Sequence, residues 1–150
     1  MGTISKNFSY REFEESKTAK DLGITNVIST FEVRNAVREL VLELLQPLRD
    51  AWGKPMHVNS GYRCPALNEA VGGTPKSQHP KGEAADVRAN DEPDTPLELA
   101  QLAYDLDLPY DQMILYPTFV HFSHKLGGPQ RKQILYNKSY KGAHVKTKKA

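Results

Sequence analysis

The chain has 150 residues, 39% of them hydrophobic and 25% charged, with a formal net charge of +2 at pH 7. That length and balance describe one globular domain with room for a core, and so small a positive excess gives no footing for nucleic-acid binding. The single cysteine, Cys64, excludes an internal disulfide framework and a cysteine-rich zinc site, so a metal site must use histidine and carboxylate.

No apolar run approaches the ~18 residues needed to span a bilayer. The opening stretch Met1-Gly-Thr-Ile-Ser-Lys-Asn7 lacks the apolar segment of a signal peptide. We therefore expect a monomer that is cytoplasmic as synthesised and has no membrane partner. The expected layout is a single domain over 1–150, with an irregular N-terminal arm over about 1–29 and a flexible basic tail over about 138–150. Lys138, Lys141, Lys146, Lys148 and Lys149 give that tail its charge.

Within the arm, Ser9 followed by Glu12 forms a capping-box pattern and predicts a short helix. The polar run after it ends at Gly23, a C-cap residue. Thr30 opens the strongest helix of the chain. Val33, Val37, Leu40, Val41, Leu44, Leu45 and Leu48 recur at helical spacing, which predicts a core-facing stripe. This helix runs to Trp52, with Gly53 as its terminator and Pro47 as a point of kinking.

Met56–Ser60 alternates as a strand does, with His57 on the outer side. Pro65–Val71 suits one or two helical turns closed by Gly72-Gly73. Thr74–Lys81 is loop, and Glu83–Ala89 is a second strand. Pro96–Leu106 is a helix whose Leu97, Ala100, Leu102 and Ala103 face inward. Gln112–Tyr116, Phe119–His124 and Lys132–Tyr136 are three further strands. Pro117-Thr118 joins the first two as a hairpin, and Leu126-Gly-Gly-Pro129 joins the last two. The order predicts an α+β fold: an antiparallel sheet of about four to five strands flanked by helices.

The chemistry concentrates in Ser77-Gln-His-Pro-Lys-Gly-Glu-Ala-Ala-Asp86 and in Phe119-Val-His-Phe122. His79, Asp86 and His121 are two imidazoles and a carboxylate, a donor set that can hold Zn²⁺ and leave a fourth position open for water. Gly82 lets the backbone turn between His79 and Asp86. By spacing alone, the triad is compatible both with a metal site and with chance placement among five histidines.

Three stretches carry a family resemblance: Ser60-Gly-Tyr-Arg63, Leu67-Asn-Glu-Ala-Val-Gly-Gly73 and Ser77–Asp86, followed by the Val120-His121 strand. Together they resemble the D-alanyl-D-alanine carboxypeptidase-like zinc peptidases, in the branch found in phages and bacteria. The similarity extends over nearly the whole chain, from about Phe8 to Leu135. The resemblance implies the fold shared by hedgehog domains and DD-peptidases, with His79, Asp86 and His121 as zinc ligands. It implies that Arg63 binds the substrate's terminal carboxylate or a peptide carbonyl, and that Ser77 supports the substrate or the His79 loop. The implied substrate is a peptidoglycan stem or cross-link peptide, cut by a carboxypeptidase or an endolysin-like endopeptidase acting on the cell wall after release or export.

One departure from that family pattern concerns the general base, commonly a carboxylate shortly before the last histidine. Here Thr118 and Tyr116 stand at those positions, and neither is a carboxylate base. Asp111 is expected at the far end of its strand, Glu83 facing solvent away from Asp86, and His124 pointing away from His121. This leaves a second reading open: a catalytically weak or inactive zinc-binding module of a cell wall or phage structure.

Overall fold

The computed structural model describes residues 2–148; Lys149 of the basic tail lies outside them. A small hairpin, β1 (Thr3–Ser5) and β2 (Phe8–Ser9), leads into two short helices, α1 (Tyr10–Glu14) and α2 (Lys17–Leu22). The α1 start is set by Glu12, whose carboxylate accepts the Ser9 N–H at 2.9 Å. The α2 end is set by Gly23, in the left-handed conformation with φ 69°. Phe8, Tyr10 and Phe13 are buried and join this N-terminal segment to the main core.

The predicted long helix runs from Phe31 to Trp52. It comprises α3 (Phe31–Glu39), a π-helical stretch over Leu40–Leu45, and α4 (Gln46–Trp52). Thr30 caps it by accepting the Val33 N–H at 3.2 Å, and Gly53 closes it with φ 74°. The wide turn lies directly before Pro47, and the Gln46 N–H there reaches back to the Val41 carbonyl. A proline ring crowds the carbonyl four residues back, and a π turn relieves that contact while the helix continues. Leu40, Val41, Leu44, Leu45 and Leu48 are fully buried on this helix.

A five-stranded sheet lies against it in the order β3-β4-β6-β5-β7, built from β3 (His57–Ser60), β4 (Ala84–Arg88), β5 (Gln112–Leu115), β6 (Val120–Ser123) and β7 (Gln133–Tyr136). One face presents Ala85, Val87, Met113, Leu115, Val120 and Phe122 to the core shared with the long helix and with α6 (Thr95–Asp105). The other face carries Asp86, Ile114 and His121. The α+β class stands, but the sheet is mixed rather than wholly antiparallel. β7 pairs with β5, and in parallel, so the 126–129 turn does not join β6 and β7 as a hairpin.

The physical reason lies at the start of β5. The Arg131 N–H donates to the Asp111 carboxylate at 2.7 Å, and the Gln133 N–H donates to the Asp111 carbonyl at 3.0 Å. These bonds seat the start of β7 beside the start of β5, which fixes a parallel course. After β7 the chain lies along α6. Val145 is buried, the Lys146 N–H donates to Gln101 Oε1, and the Lys148 N–H donates to the Tyr104 hydroxyl. No helix among the described residues is long and apolar enough to cross a membrane.

Candidate metal centre

Strand pairing builds two thirds of the centre. Asp86 on β4 and His121 on β6 are direct cross-strand partners, on the face away from the core. Their side chains meet, with His121 Nδ1 at 2.9 Å from Asp86 Oδ1. His79 arrives from a single 3₁₀ turn, His79–Lys81, that precedes β4. Gly82 ends that turn with φ 75°, and a Cβ there would lie 2.7 Å from the Val33 carbonyl oxygen on the long helix. Both the conformation and the close approach require glycine at this position. One potential ligand atom from each of His79, Asp86 and His121 lies within 4.8 Å of the others.

The hydrogen bonding of His79 tests whether these residues fit a metal. Its ring is 2% exposed. Its Nδ1 lies 2.6 Å from the Gly61 carbonyl oxygen, which can only accept, so Nδ1 carries the proton. Nε2 then presents a lone pair, is buried, and has no hydrogen-bond partner. It faces Asp86 Oδ1 at 3.4 Å. A buried imidazole lone pair and a carboxylate oxygen aimed at one another repel unless a cation lies between them. A carbonyl fixing the far ring nitrogen is the usual way a protein orients a metal-binding histidine. Two imidazoles and a carboxylate therefore fit a metal ion.

Asp86 is suited to stay ionised. Burial alone would raise its pKa, but the hydrogen bond from His121 opposes that, and the net direction leaves the carboxyl well below the usual carboxylate range.

Above the triad lies a solvent-open groove of ≈ 470 Å³. Arg63, Ser77 and Tyr116 line it together with His79, Asp86 and His121. Arg63 follows β3 and is half-buried, with Nη1 3.2 Å from Asn68 Oδ1. Its Nε is buried without a partner. Burial lowers its pKa while Asp86 raises it, and a guanidinium stays charged regardless. Ser77 Oγ accepts the His79 N–H at 3.2 Å and so ties down the loop that carries the histidine. The ring of Tyr116 is held by stacking on Phe119, with centroids 4.3 Å apart. Burial and then the negative Asp86 push the Tyr116 phenol above its ordinary value, and Arg63 opposes them, so it remains a proton donor at neutral pH.

Asp111 lies at the far end of its strand as expected, directly before β5, but Glu83 sits elsewhere than expected. Glu83 is buried rather than solvent-facing: it accepts from Gln78 Nε2 at 3.3 Å and from the Leu126 N–H at 2.9 Å. Strand alternation misplaced it because Glu83 precedes the first residue of β4, and the crossing 126 loop covers it. Asp111 is 1% exposed and is clamped by Arg131 through both carboxylate oxygens, with the closest contact at 2.8 Å. Gln78 Nε2 reaches Asp111 as well, at 3.2 Å. His124 does point away from His121: it is buried, and burial lowers its pKa. Asp86 is the sole carboxylate among the described residues lining the groove.

The chain's own signals hid several supporting residues. Gln78 bridges Glu83 and Asp111 directly before His79, and Arg131 comes from a distant loop. Asn68 was open to discovery, because it sits inside the Leu67–Gly73 stretch. It donates to the Thr74 carbonyl at 2.9 Å while holding Arg63. A Cβ on Gly73 would collide with Asn68 and come 3.0 Å from Arg63 Nη1, which accounts for the second glycine of that stretch.

The His-Asp-His cluster, with His79 buried and Asp86 and His121 part-buried, lies under a groove that Arg63 lines, an arrangement suited to a metallopeptidase. The family model described as Peptidase M15 matches residues 6–123. The chain belongs to the Peptidase M15 family, and so to the metallopeptidases. No curated protein matches it.

Proposed function

We propose that this protein is a zinc peptidase that hydrolyses a peptide bond involving a D-amino acid in a peptidoglycan stem or cross-link peptide. The observation that carries the metal reading is the partnerless, buried Nε2 of His79 directed at Asp86 beside His121. Two imidazoles and one carboxylate suit zinc with an open fourth position. Zinc bound there would supply a Lewis acid for the peptide carbonyl and bring the pKa of a bound water to about 7.

The chain's own residues do the remaining work. Arg63 offers a planar fork of donors on the groove, suited to a carboxylate or carbonyl oxygen. Tyr116 is a protonated donor on the same groove, placed to bond an oxygen that gains charge as the bond breaks. Ser77 and Gly61 hold His79 in its tautomer and orientation. The protein would meet its substrate at the cell wall, after release or export.

A second reading rests on one observation. Asp86 is the sole carboxylate among the described groove residues, so a wall-binding zinc module without turnover is the rival. Zinc-loaded protein incubated with purified peptidoglycan, and with a pentapeptide ending in D-Ala-D-Ala, decides between them by mass spectrometry of the products. New cleavage products that disappear in the His121→Ala variant support the peptidase. Binding of the peptide with no product formed establishes the module.

A further inference from the structure

The stretch that carries Arg63 belongs to no helix or strand. Residues 61–64 run irregularly between β3 and α5 (Pro65–Ala70). An irregular backbone keeps one course when its polar groups have fixed partners. The His79 turn holds one side of this stretch: the Gly61 carbonyl oxygen meets His79 Nδ1 at 2.6 Å, and the Arg63 N–H donates to the His79 carbonyl at 3.4 Å. The N-terminal arm holds the other. The Tyr62 N–H donates to the Phe13 carbonyl at 2.8 Å, and a Cβ on Gly61 would lie 2.8 Å from Phe13 Cα, so α1 packs directly against the stretch.

Asn26, in the loop after α2, completes that second hold and is 7% exposed. Its Nδ2 donates to the Tyr62 carbonyl at 2.9 Å and to the Glu14 carbonyl at 3.0 Å, and its Oδ1 accepts the Cys64 N–H at 2.7 Å. Both amide protons are used, and the partners fix which end of the amide is nitrogen. The Tyr62 carbonyl and the Cys64 N–H belong to the two peptide planes that meet at the Arg63 Cα. One side-chain amide thus holds both planes, and with them the direction in which the arginine leaves the backbone. A long side chain magnifies any turn at its root, and a misplacement of about 1 Å at a site costs on the order of 10²-fold.

We propose that Asn26 is a positioning residue: by bonding both peptide groups that flank Arg63, it sets the guanidinium at the groove above the His-Asp-His cluster. The N-terminal arm is then part of the substrate-binding machinery. The use of Arg63 for binding rests on the zinc-peptidase reading above; the placement of its side chain does not.

The test is steady-state kinetics of zinc-loaded protein on the pentapeptide ending in D-Ala-D-Ala. Asn26→Ala raises KM about tenfold while kcat stays within about threefold, the mark of lost substrate binding, and the zinc-induced Tm shift persists. On an Arg63→Ala background the same change adds less than about twofold, because two residues that act through one group are not additive. Leu99→Ala, a core truncation on α6 outside the groove lining, lowers Tm and leaves KM unchanged, which separates position from stability. The Nε–H resonance of Arg63, assigned by its loss in Arg63→Ala, shifts in Asn26→Ala. Asn26→Asp keeps the shape and the bond from the Cys64 N–H, loses both donations, and gives the same results where the alanine variant does not fold. An unchanged KM, or losses that multiply across Asn26→Ala and Arg63→Ala, overturns the proposal and leaves the zinc-peptidase reading standing. Loss of folding in both Asn26 variants makes the residue a structural one and overturns it too. A wild type that cuts nothing brings down the peptidase reading; the Arg63 resonance then decides the proposal, a shift upholding it and an unmoved signal overturning it.

Discussion

Removing His79 is the most informative perturbation of the metal centre. Its Nε2 is a buried acceptor without a partner, and such a group costs about 1–3 kcal/mol while it stays unsatisfied. A metal ion relieves that deficit and adds its binding free energy to the native state. At a free zinc concentration one hundred times Kd, the added stability is about 2.7 kcal/mol. In a domain of this size each kcal/mol moves Tm by roughly 2–4 °C. Zinc should therefore raise the Tm of chelator-treated protein by about 5–11 °C.

His79→Ala deletes the ligand and strips the Gly61 carbonyl of its donor, so the protein without metal loses about 2–4 kcal/mol. Its response to zinc should fall to under about 2 °C. His57→Ala, an exposed change on β3, keeps the full response and controls for adventitious binding. Scanning calorimetry with and without zinc measures all three. A wild-type Tm that zinc leaves unmoved, or a His79→Ala protein that responds like wild type, refutes the reasoning.

Two further outcomes follow from the groove and its support. Tyr116→Phe should lower kcat by about 10²–10³-fold, the cost of losing one donor to a developing oxyanion, while the zinc-induced Tm shift stays unchanged. Since burial and Asp86 raise the phenol's pKa, the donor is lost only as pH rises past its ordinary value of about 10; the wild-type pH–rate profile should show no basic limb from this group below that. Asp111→Asn should cost about 2–3 kcal/mol in urea unfolding at pH 7, because a buried carboxylate loses its charged clamp to a partly exposed arginine. Burial raises the Asp111 pKa, but the Arg131 hydrogen bonds outweigh it and leave a net lowering. The stabilisation is thus present above the unfolded value near 3.9 and fades as pH falls through the folded one, so the gap between variant and wild type should close in acid.

The parts of this protein that can be read along the chain are those whose causes are local. The stripe from Val33 to Leu48 declares a core helix because 3.6-residue periodicity needs no distant partner to be recognised. Ser9 with Glu12, Thr30, Gly23 and Gly53 mark helix ends because a cap acts within a few residues. His79 and Asp86 belong to one turn-and-strand unit, and Gly82 between them reveals the turn. These elements, with the motif around them, determine an α+β domain and two of the three residues of the His-Asp-His cluster.

Other features arise from contacts between segments far apart in the chain. His121 joins the cluster because β6 pairs with β4 in the register that sets it opposite Asp86, and a shift of one residue would turn it into the core. The Gly61 carbonyl selects the tautomer of His79 from eighteen residues away. Glu83 is buried by the 126 loop, and β7 runs parallel because Arg131 anchors on Asp111, twenty residues earlier. Neither outcome leaves a trace in local periodicity or propensity. The residue types determined what chemistry was available; only the packing of strands and loops decided which lone pair faces which oxygen.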